Sequence, residues 1–413
     1  MFSTSCFDIL HAHDGDRVFT EVFTQDIVLI LFQDSWDYSC GYVRAISHEL
    51  ALNSTVVIHN PFVSYSWRTL IHDSNARREY LRPFYDRSVV YIPTIVLPLQ
   101  RFGCIRDLNT KVTYILFRTI YFLRFGLHRP IVWYFAYDAI RFPEYRKFGR
   151  LRVYDRPDHV ASADRRENAS IQQSDRQLIG VSSLVVVNSR LSYRYVHRFS
   201  KNVLLAPWGA DEHEPIYKTQ DEDMLEATCP HPRFGVVGSI DHRLDFRLIY
   251  KMARQCPRWN IILVGRIHEF SPRQGVMYAF YENLFRILAL PNVYYVPEVS
   301  HGRIYSLLRS LDVGLVLYDP SQRFVCGSNP IKVYEYIAAG IPVVSTDIEM
   351  IRIMKPLVWV GKTTHEYLRC ARAALKQRRT RQTPIPTAFL KRNSWRNHVK
   401  IIRLYMEKNI MRV

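Results

Sequence analysis

The sequence predicts an α/β protein of two domains, each an open sheet of parallel strands with helices packed on its faces. Three observations carry that expectation. Short runs dominated by Val, Ile and Leu alternate with longer stretches of helical periodicity, the pattern of strands buried on both sides by crossover helices. The pattern is interrupted by a polar, acidic stretch from Asp211 to Glu226 and restarts at Arg233. The chain has 413 residues, 48% of them apolar, which allows a core on each side of that break. The expected division is 1–210, a linker 211–228, a second domain 229–392, and a C-terminal helix 393–413 that crosses back to the first domain.

The elements follow in order. Residues 1–24 lack periodicity and are expected to be an extension. Asp26 to Phe32 is an apolar run of strand character, Gly41 to Leu52 a helix and Thr55 to His59 a second strand, which together make one βαβ unit. Ser88 to Pro98 is expected as a third strand. The helix Leu108 to Leu127 interleaves Tyr, Phe and Leu with Lys111, Arg118 and Arg124. Ile131 to Phe135 and Leu151 to Tyr154 are further strands, the second running into the loop Asp155-Arg-Pro-Asp158-His159. Two carboxylates and an imidazole at a strand's C-terminal end stand where open α/β sheets carry their chemistry, although such a loop is also an ordinary solvated turn. Ser183 to Ser189 is a strand leading into a helix at Arg190, and Asn202 to Ala206 is the last strand of this half.

The second half repeats the pattern. Arg233 to Ile240 is a strand and turn, Leu244 to Gln255 a helix and Asn260 to Gly265 a strand; Asn292 to Val296 and Asp312 to Leu317 flank the helix Gly302 to Leu311. Gly238 and Ser239 allow a diphosphate close to the backbone, with Arg243 adding charge. Ser328 to Thr346 reads as turn, helix, tight exit and strand. Ser328 or Asn329 is expected as N-cap with Pro330 in the first turn, and Gly340 ends the helix. Lys332 and Glu335, three residues apart, share a face, so an ammonium and a carboxylate point to one place. A nucleoside diphosphate needs both, the cation for its phosphates and the carboxylate for ribose hydroxyls; an exposed ion pair on an amphipathic helix is the plainer alternative. Asn393-Ser394-Trp395 opens the final helix with a cap and an apolar anchor.

Composition narrows the function. Lys and Arg total 56 against 38 Asp and Glu, giving +18, so an anionic partner is expected. No zinc finger, basic zipper or ribonucleoprotein signature accompanies that charge, so an anionic membrane leaflet is preferred to specific nucleic acid. Neither half has a Gly-x-Gly-x-x-Gly or Walker segment, which disfavours hydride transfer and ATP hydrolysis. Seven Cys without a Cys-x-x-Cys pair fit reduced thiols in a cytoplasmic protein, peripheral at most on the membrane, and imply no metal site. Met1 to Asp16 lacks the apolar core of a signal peptide. The most lipid-like stretch, Val112 to Leu127, is interrupted by Arg118 and Arg124.

Pro330-Ile-Lys332-Val-Tyr-Glu335-Tyr336-Ile-Ala338-Ala-Gly340-Ile-Pro342-Val343-Val344 resembles the donor-binding element of glycosyltransferases of the two-Rossmann-domain (GT-B) type. The resemblance implies facing Rossmann-like domains, a nucleotide-sugar donor, with UDP first among its nucleotides, and a saccharide or lipid-linked acceptor in polysaccharide biosynthesis. No cofactor or metal is implied beyond the donor substrate. Many relatives carry a Glu-x7-Glu pair, but the first position is Gly327 here, which points to bacterial exopolysaccharide and teichuronic-acid transferases. Val153-Tyr154-Asp155-Arg156-Pro157-Asp158 resembles a Val-Tyr-x-x-x-Asp segment of xanthan glucuronosyltransferase, which makes Asp158 the expected general base. Asp155, which aligns with the catalytic His of retaining relatives, and His159 are its competitors. Pro207-Trp208-Gly209-Ala210-Asp211 resembles the family's Asn-Gly-Val-Asp crossing segment. By the same likeness Val296 belongs to the base-binding turn, while Gly41 and Asp211 face the interdomain cleft; Gly41 as a plain helix start is the alternative. A sugar-nucleotide epimerase of the same fold and a non-catalytic basic protein that binds nucleic acid or membrane are the rival functions.

Overall fold

The computed structural model describes residues 26–31, 41–60, 71–72, 85–86, 89–92, 102–156, 165–210, 224–225, 229–267, 277–299, 303–380 and 386–411. Within them stand two sheets, one before and one after residues 211–223. The first holds β1 (Ile27–Leu31), β2 (Thr55–His59), β3 (Tyr85–Asp86), β4 (Val89–Ile92), β5 (Ile131–Tyr134), β6 (Leu151–Arg156), β7 (Leu184–Val187) and β8 (Val203–Leu205) in the order β3-β4-β2-β1-β5-β6-β7-β8. The second holds β9 (Arg233–Val237), β10 (Asn260–Val264), β11 (Val293–Val296), β12 (Val313–Val316), β13 (Val343–Thr346) and β14 (Val358–Gly361) in the order β11-β10-β9-β12-β13-β14. All pairs are parallel except the short β3–β4 edge. Central strands such as β7 and β10 are buried along their whole length, as strands covered on both faces must be.

The C-terminal helix lies against the first half of the chain. Trp395–Asn409 is capped by Ser394, whose hydroxyl accepts from Asn397 N at 3.2 Å, and Trp395 is buried. The helix packs on Gly41–Ala51 of the first domain, where Arg403 donates to Leu50 O at 3.0 Å and to Ser54 Oγ at 3.2 Å. Ala210 bridges Ser394, so the outgoing and returning chain segments lie side by side.

The first domain's long helix is Gly103–Phe125 rather than Leu108 to Leu127, and two further differences from expectation bear on the site. The fifth principal strand, β6, runs to Arg156, and Asp155 is therefore strand rather than loop. The helix Arg165–Val181 was not signalled, because its sequence is mostly polar. It docks through the buried Leu178 and Ile179 and through a buried ion pair: Arg156 Nε lies 2.9 Å from Asp175 Oδ1 and its Nη2 3.0 Å from Oδ2, both side chains being 1% exposed. Tyr154 donates its hydroxyl to Asp175 at 2.8 Å, and Arg156 Nη1 donates to Ser192 at 3.1 Å. Burial disfavours the Arg156 charge, but Asp175 more than offsets this and holds the guanidinium above its ordinary value.

His59 is the buried titratable group on the other flank of this sheet. Its Nδ1 faces Ile92 O at 2.9 Å and so carries the hydrogen, which leaves Nε2 to accept from Tyr145 Oη at 2.7 Å. Phe117 stacks on the ring at 4.8 Å. Burial pushes its pKa down to about 4, against the smaller opposing effect of the Ile92 carbonyl. Between pH 6.5 and 4 the unfolded chain therefore binds a proton that the folded chain refuses. Stability is expected to fall through that window by about 3 kcal/mol in total. Urea unfolding of wild type and His59→Asn at both pH values checks this: the variant should lose less stability on acidification, and equal losses would contradict it.

Candidate functional site

The second sheet reverses its winding between β9 and β12, the place where an open α/β sheet forms a crevice at the C-terminal ends of its strands. β9 and β12 pair only at Phe234 with Val313 and Gly235 with Gly314 and then part. Tyr336, on the helix Ile331–Ala338, fills the gap: its hydroxyl donates to Gly235 O at 3.0 Å and accepts from Val237 N at 2.9 Å. Burial pushes the phenol far above its ordinary pKa, so it stays a neutral bridge. This anchor fixes the helix one turn from Lys332.

Lys332 is brought to Gly238, just past the end of β9. Gly238 has φ +119°, and a Cβ there would lie 2.9 Å from Lys332 Nζ, so any larger residue would push the ammonium away. Gly238 N donates to Val264 O at 2.9 Å, and Val296 O accepts from Gly265 N at 3.0 Å, which ties the ends of β9, β10 and β11 together. Tyr318, just beyond β12, lies under two cations: Lys332 Nζ is 4.9 Å and Arg243 Cζ 5.3 Å from its ring centre. Arg243 is oriented by Asp241, with Nε 2.9 Å from Oδ1 and Nη2 2.6 Å from Oδ2. Burial pushes the Asp241 carboxyl up, but its bonds to Arg243 outweigh this and hold it below the usual carboxylate value. Ser239 is exposed beside this group, and Glu335 is half-buried on the lysine's helix face.

Lys332 and Arg243 thus meet at Tyr318, Gly238 stands against Lys332 with Ser239 next to it in the chain, and Val296 ends β11, two strands from β9. Ser328 and Asn329 do otherwise than the capping expectation. Pro330 stands at the N-cap without a side-chain bond; Ser328 donates to Val325 O at 2.9 Å, closing the preceding turn. Asn329 is fully buried, its amide nitrogen donating to Asn188 O of the first domain at 3.1 Å and its oxygen accepting from Tyr334 at 3.1 Å. It joins the domains. Gly327 has the same explanation: a Cβ there would come within 2.4 Å of a Leu191 methyl carbon, so the space of the missing glutamate is taken by the first domain. Arg194 and Glu349 pair at 3.2 Å nearby, across the same boundary.

Asp155 is corrected as well. It is 2% exposed, accepts from Trp133 Nε1 at 3.4 Å and lies 3.6 Å from His398 Nε2 on the returning helix, whose Nδ1 is 3.1 Å from Pro207 O. This environment makes it an internal link rather than an accessible base. Gly41 is exposed as the first residue of its helix. Asp158, His159 and Asp211 lie outside the described residues, as do residues 1–24 and nearly all of the linker. Tyr318, Tyr336 and Asp241 were missed; an Asp-x-Arg turn after a strand and a Tyr closing a Val-rich run were the available signals. Among the described residues no three His, Cys, Asp or Glu side chains group as a metal site, and no helix is long and apolar enough to cross a membrane.

No family model matches the chain. A curated protein of Bacillus subtilis, named as a candidate teichuronic acid biosynthesis glycosyltransferase (TuaH), is 30% identical over 126 residues, or 30% of this chain and 29% of that protein. The chain therefore aligns with under a third of that relative's length. Solved structures match throughout. HepE of Anabaena in complex with UDP and glucose has a TM-score of 0.63 at 14% identity, covering 92% of this chain and 99% of that one. The UDP-forming α,α-trehalose-phosphate synthase of Burkholderia xenovorans has a TM-score of 0.64 at 10% identity, covering 94% and 99%. Sucrose-phosphate synthase of Thermosynechococcus elongatus has 0.61 at 14%, covering 93% and 98%. The fold is GT-B.

Proposed function

We propose that this chain is a glycosyltransferase that takes a UDP-sugar in the crevice between β9 and β12 and transfers the sugar to a hydroxyl of a saccharide or lipid-linked acceptor. The observation that carries the proposal is the approach of Lys332 to Gly238 at the strand switch, with Arg243 near the same Tyr318 ring. Two cations and an open backbone turn suit a diphosphate, and Glu335, one turn along the helix, suits ribose hydroxyls. The relatives support the donor: one structure holds UDP and glucose, and the aligned curated protein is named for glycosyl transfer. The same names favour transfer over epimerisation.

The acceptor would meet the first domain. Asp158, two residues past the end of β6, is the proposed base, and Arg156 fixes the strand end that leads to it. The helix Gly103–Phe125 exposes Leu108, Ile115 and Phe122, spaced two turns apart, beside exposed Lys111, Arg118 and Arg124. That mixture of apolar and cationic groups suits the surface of an anionic leaflet.

Incubation with UDP-hexoses and a lipid-linked or oligosaccharide acceptor tests the proposal. Acceptor-dependent release of UDP is expected, and it should survive EDTA, because cations and backbone N–H groups rather than a metal are assigned to the leaving diphosphate. Turnover of the sugar nucleotide to its epimer without acceptor, or loss in EDTA restored by manganese, would contradict it.

A further inference from the structure

We propose that the second domain carries a second anion site, at the N-terminal end of its strands and so opposite the crevice, built to take a phosphate-bearing ligand. A cavity of about 470 Å³ lies between the C-terminal end of the helix Phe246–Gln255, the loop that enters β10, and the last turns of the helix Thr364–Arg379. It stands at the N-terminal end of β10, whereas Gly238 and Lys332 stand at the C-terminal ends of the strands. The two sites are separate, and this inference does not rest on the glycosyltransferase reading.

Four cations line the cavity. Arg372, Lys376 and Arg379 follow at four- and three-residue steps on one helix face, and Arg258 comes from the facing loop. No carboxylate is among the lining residues described. Like charges at these spacings repel one another; the helix C-terminus favours Lys376 and Arg379 in its last turn, but Arg372 and Arg258 stand outside that turn. Arg378, on the neighbouring face, does serve the fold, donating to Gly340 O at 3.5 Å and Arg309 O at 3.3 Å. Arg372 is set in place before any ligand arrives. Its guanidinium lies 5.9 Å from the Trp259 ring centre and 3.9 Å from Cys256 Sγ, and Trp259 is in turn stacked on Phe234 at 4.4 Å. A planar fork held over an aromatic ring, with three further cations around a ligand-sized cavity, matches the oxygens of a multiply charged phosphate group. Either a soluble polyphosphate or a lipid headgroup offers that chemistry.

The test titrates inorganic pyrophosphate calorimetrically into the wild-type full chain, into Lys332→Ala, and into the combined variant Arg372→Gln, Lys376→Gln and Arg379→Gln. In parallel, each protein is sedimented with vesicles of phosphatidylglycerol or phosphatidylcholine. A pyrophosphate-binding event that survives Lys332→Ala and weakens at least tenfold in the triple variant establishes the site with a soluble ligand. Sedimentation with phosphatidylglycerol alone, lost in the triple variant, establishes it with a lipid headgroup. All three substitutions are exposed, and the single exposed change Lys376→Glu is expected to weaken binding in the same assay should the triple variant fold poorly. Absence of both binding events from wild type, or their persistence unchanged in the charge variants, overturns the proposal.

Discussion

Asp175→Ala is expected to lower the unfolding free energy by about 3–5 kcal/mol, because it leaves the Arg156 guanidinium buried without its counter-charge. Three elements depend on that carboxylate: β6 through Arg156 and Tyr154, the helix Arg165–Val181 that carries it, and, through Ser192, the helix Arg190–Val196. Replacing both partners, as in Arg156→Met with Asp175→Leu, should recover much of the loss, since the double change leaves no unpaired charge. Urea unfolding measures both. A loss below about 1 kcal/mol for the single variant would mean that the pair is solvated in solution.

A second large effect is expected in turnover. Asp158→Asn should reduce the rate by a factor of roughly 10²–10⁴ while donor affinity and fold are kept, the usual contribution of a general base. A base that deprotonates the acceptor as it attacks opposite the diphosphate gives inversion at the anomeric carbon, which NMR of the product reads directly. The burial of Asp155 removes it as competitor for that role, since its carboxylate already meets Trp133 and His398. Retention of configuration, or a fully active Asp158→Asn enzyme, would rule out this chemistry and leave the donor site unaffected.

The parts that were legible in the sequence are those where one local signal suffices. Buried parallel strands announce themselves as Val- and Ile-rich runs, and Ser394-Trp395 marks both a cap and an anchor for the returning helix. Lys332 and Gly238 were legible because each stands at a strand or helix end, where a ligand can reach. Less legible were residues whose role is set by a distant partner. Asn329 has the chemistry of a cap, yet its amide is committed to Asn188, 141 positions away. Gly327 reads as a missing carboxylate until Leu191 is seen to fill the space. Asp155 looks like loop chemistry because nothing local shows that the strand continues to Arg156 or that His398 arrives from the far end of the chain. The helix Arg165–Val181 is mostly polar, and its docking is fixed by the buried Asp175 as much as by an apolar stripe.

The central claim is that Lys332 at the β9–β12 crevice holds a nucleoside diphosphate. Calorimetric titration of UDP into the wild-type chain and into Lys332→Ala addresses it most directly. Removing one charge-assisted contact to phosphate should weaken UDP by about 1.5–3 kcal/mol, roughly 10- to 150-fold, with the unfolding midpoint of the free protein little changed. UDP binding of equal affinity in the two proteins, or no binding to wild type, would contradict the claim.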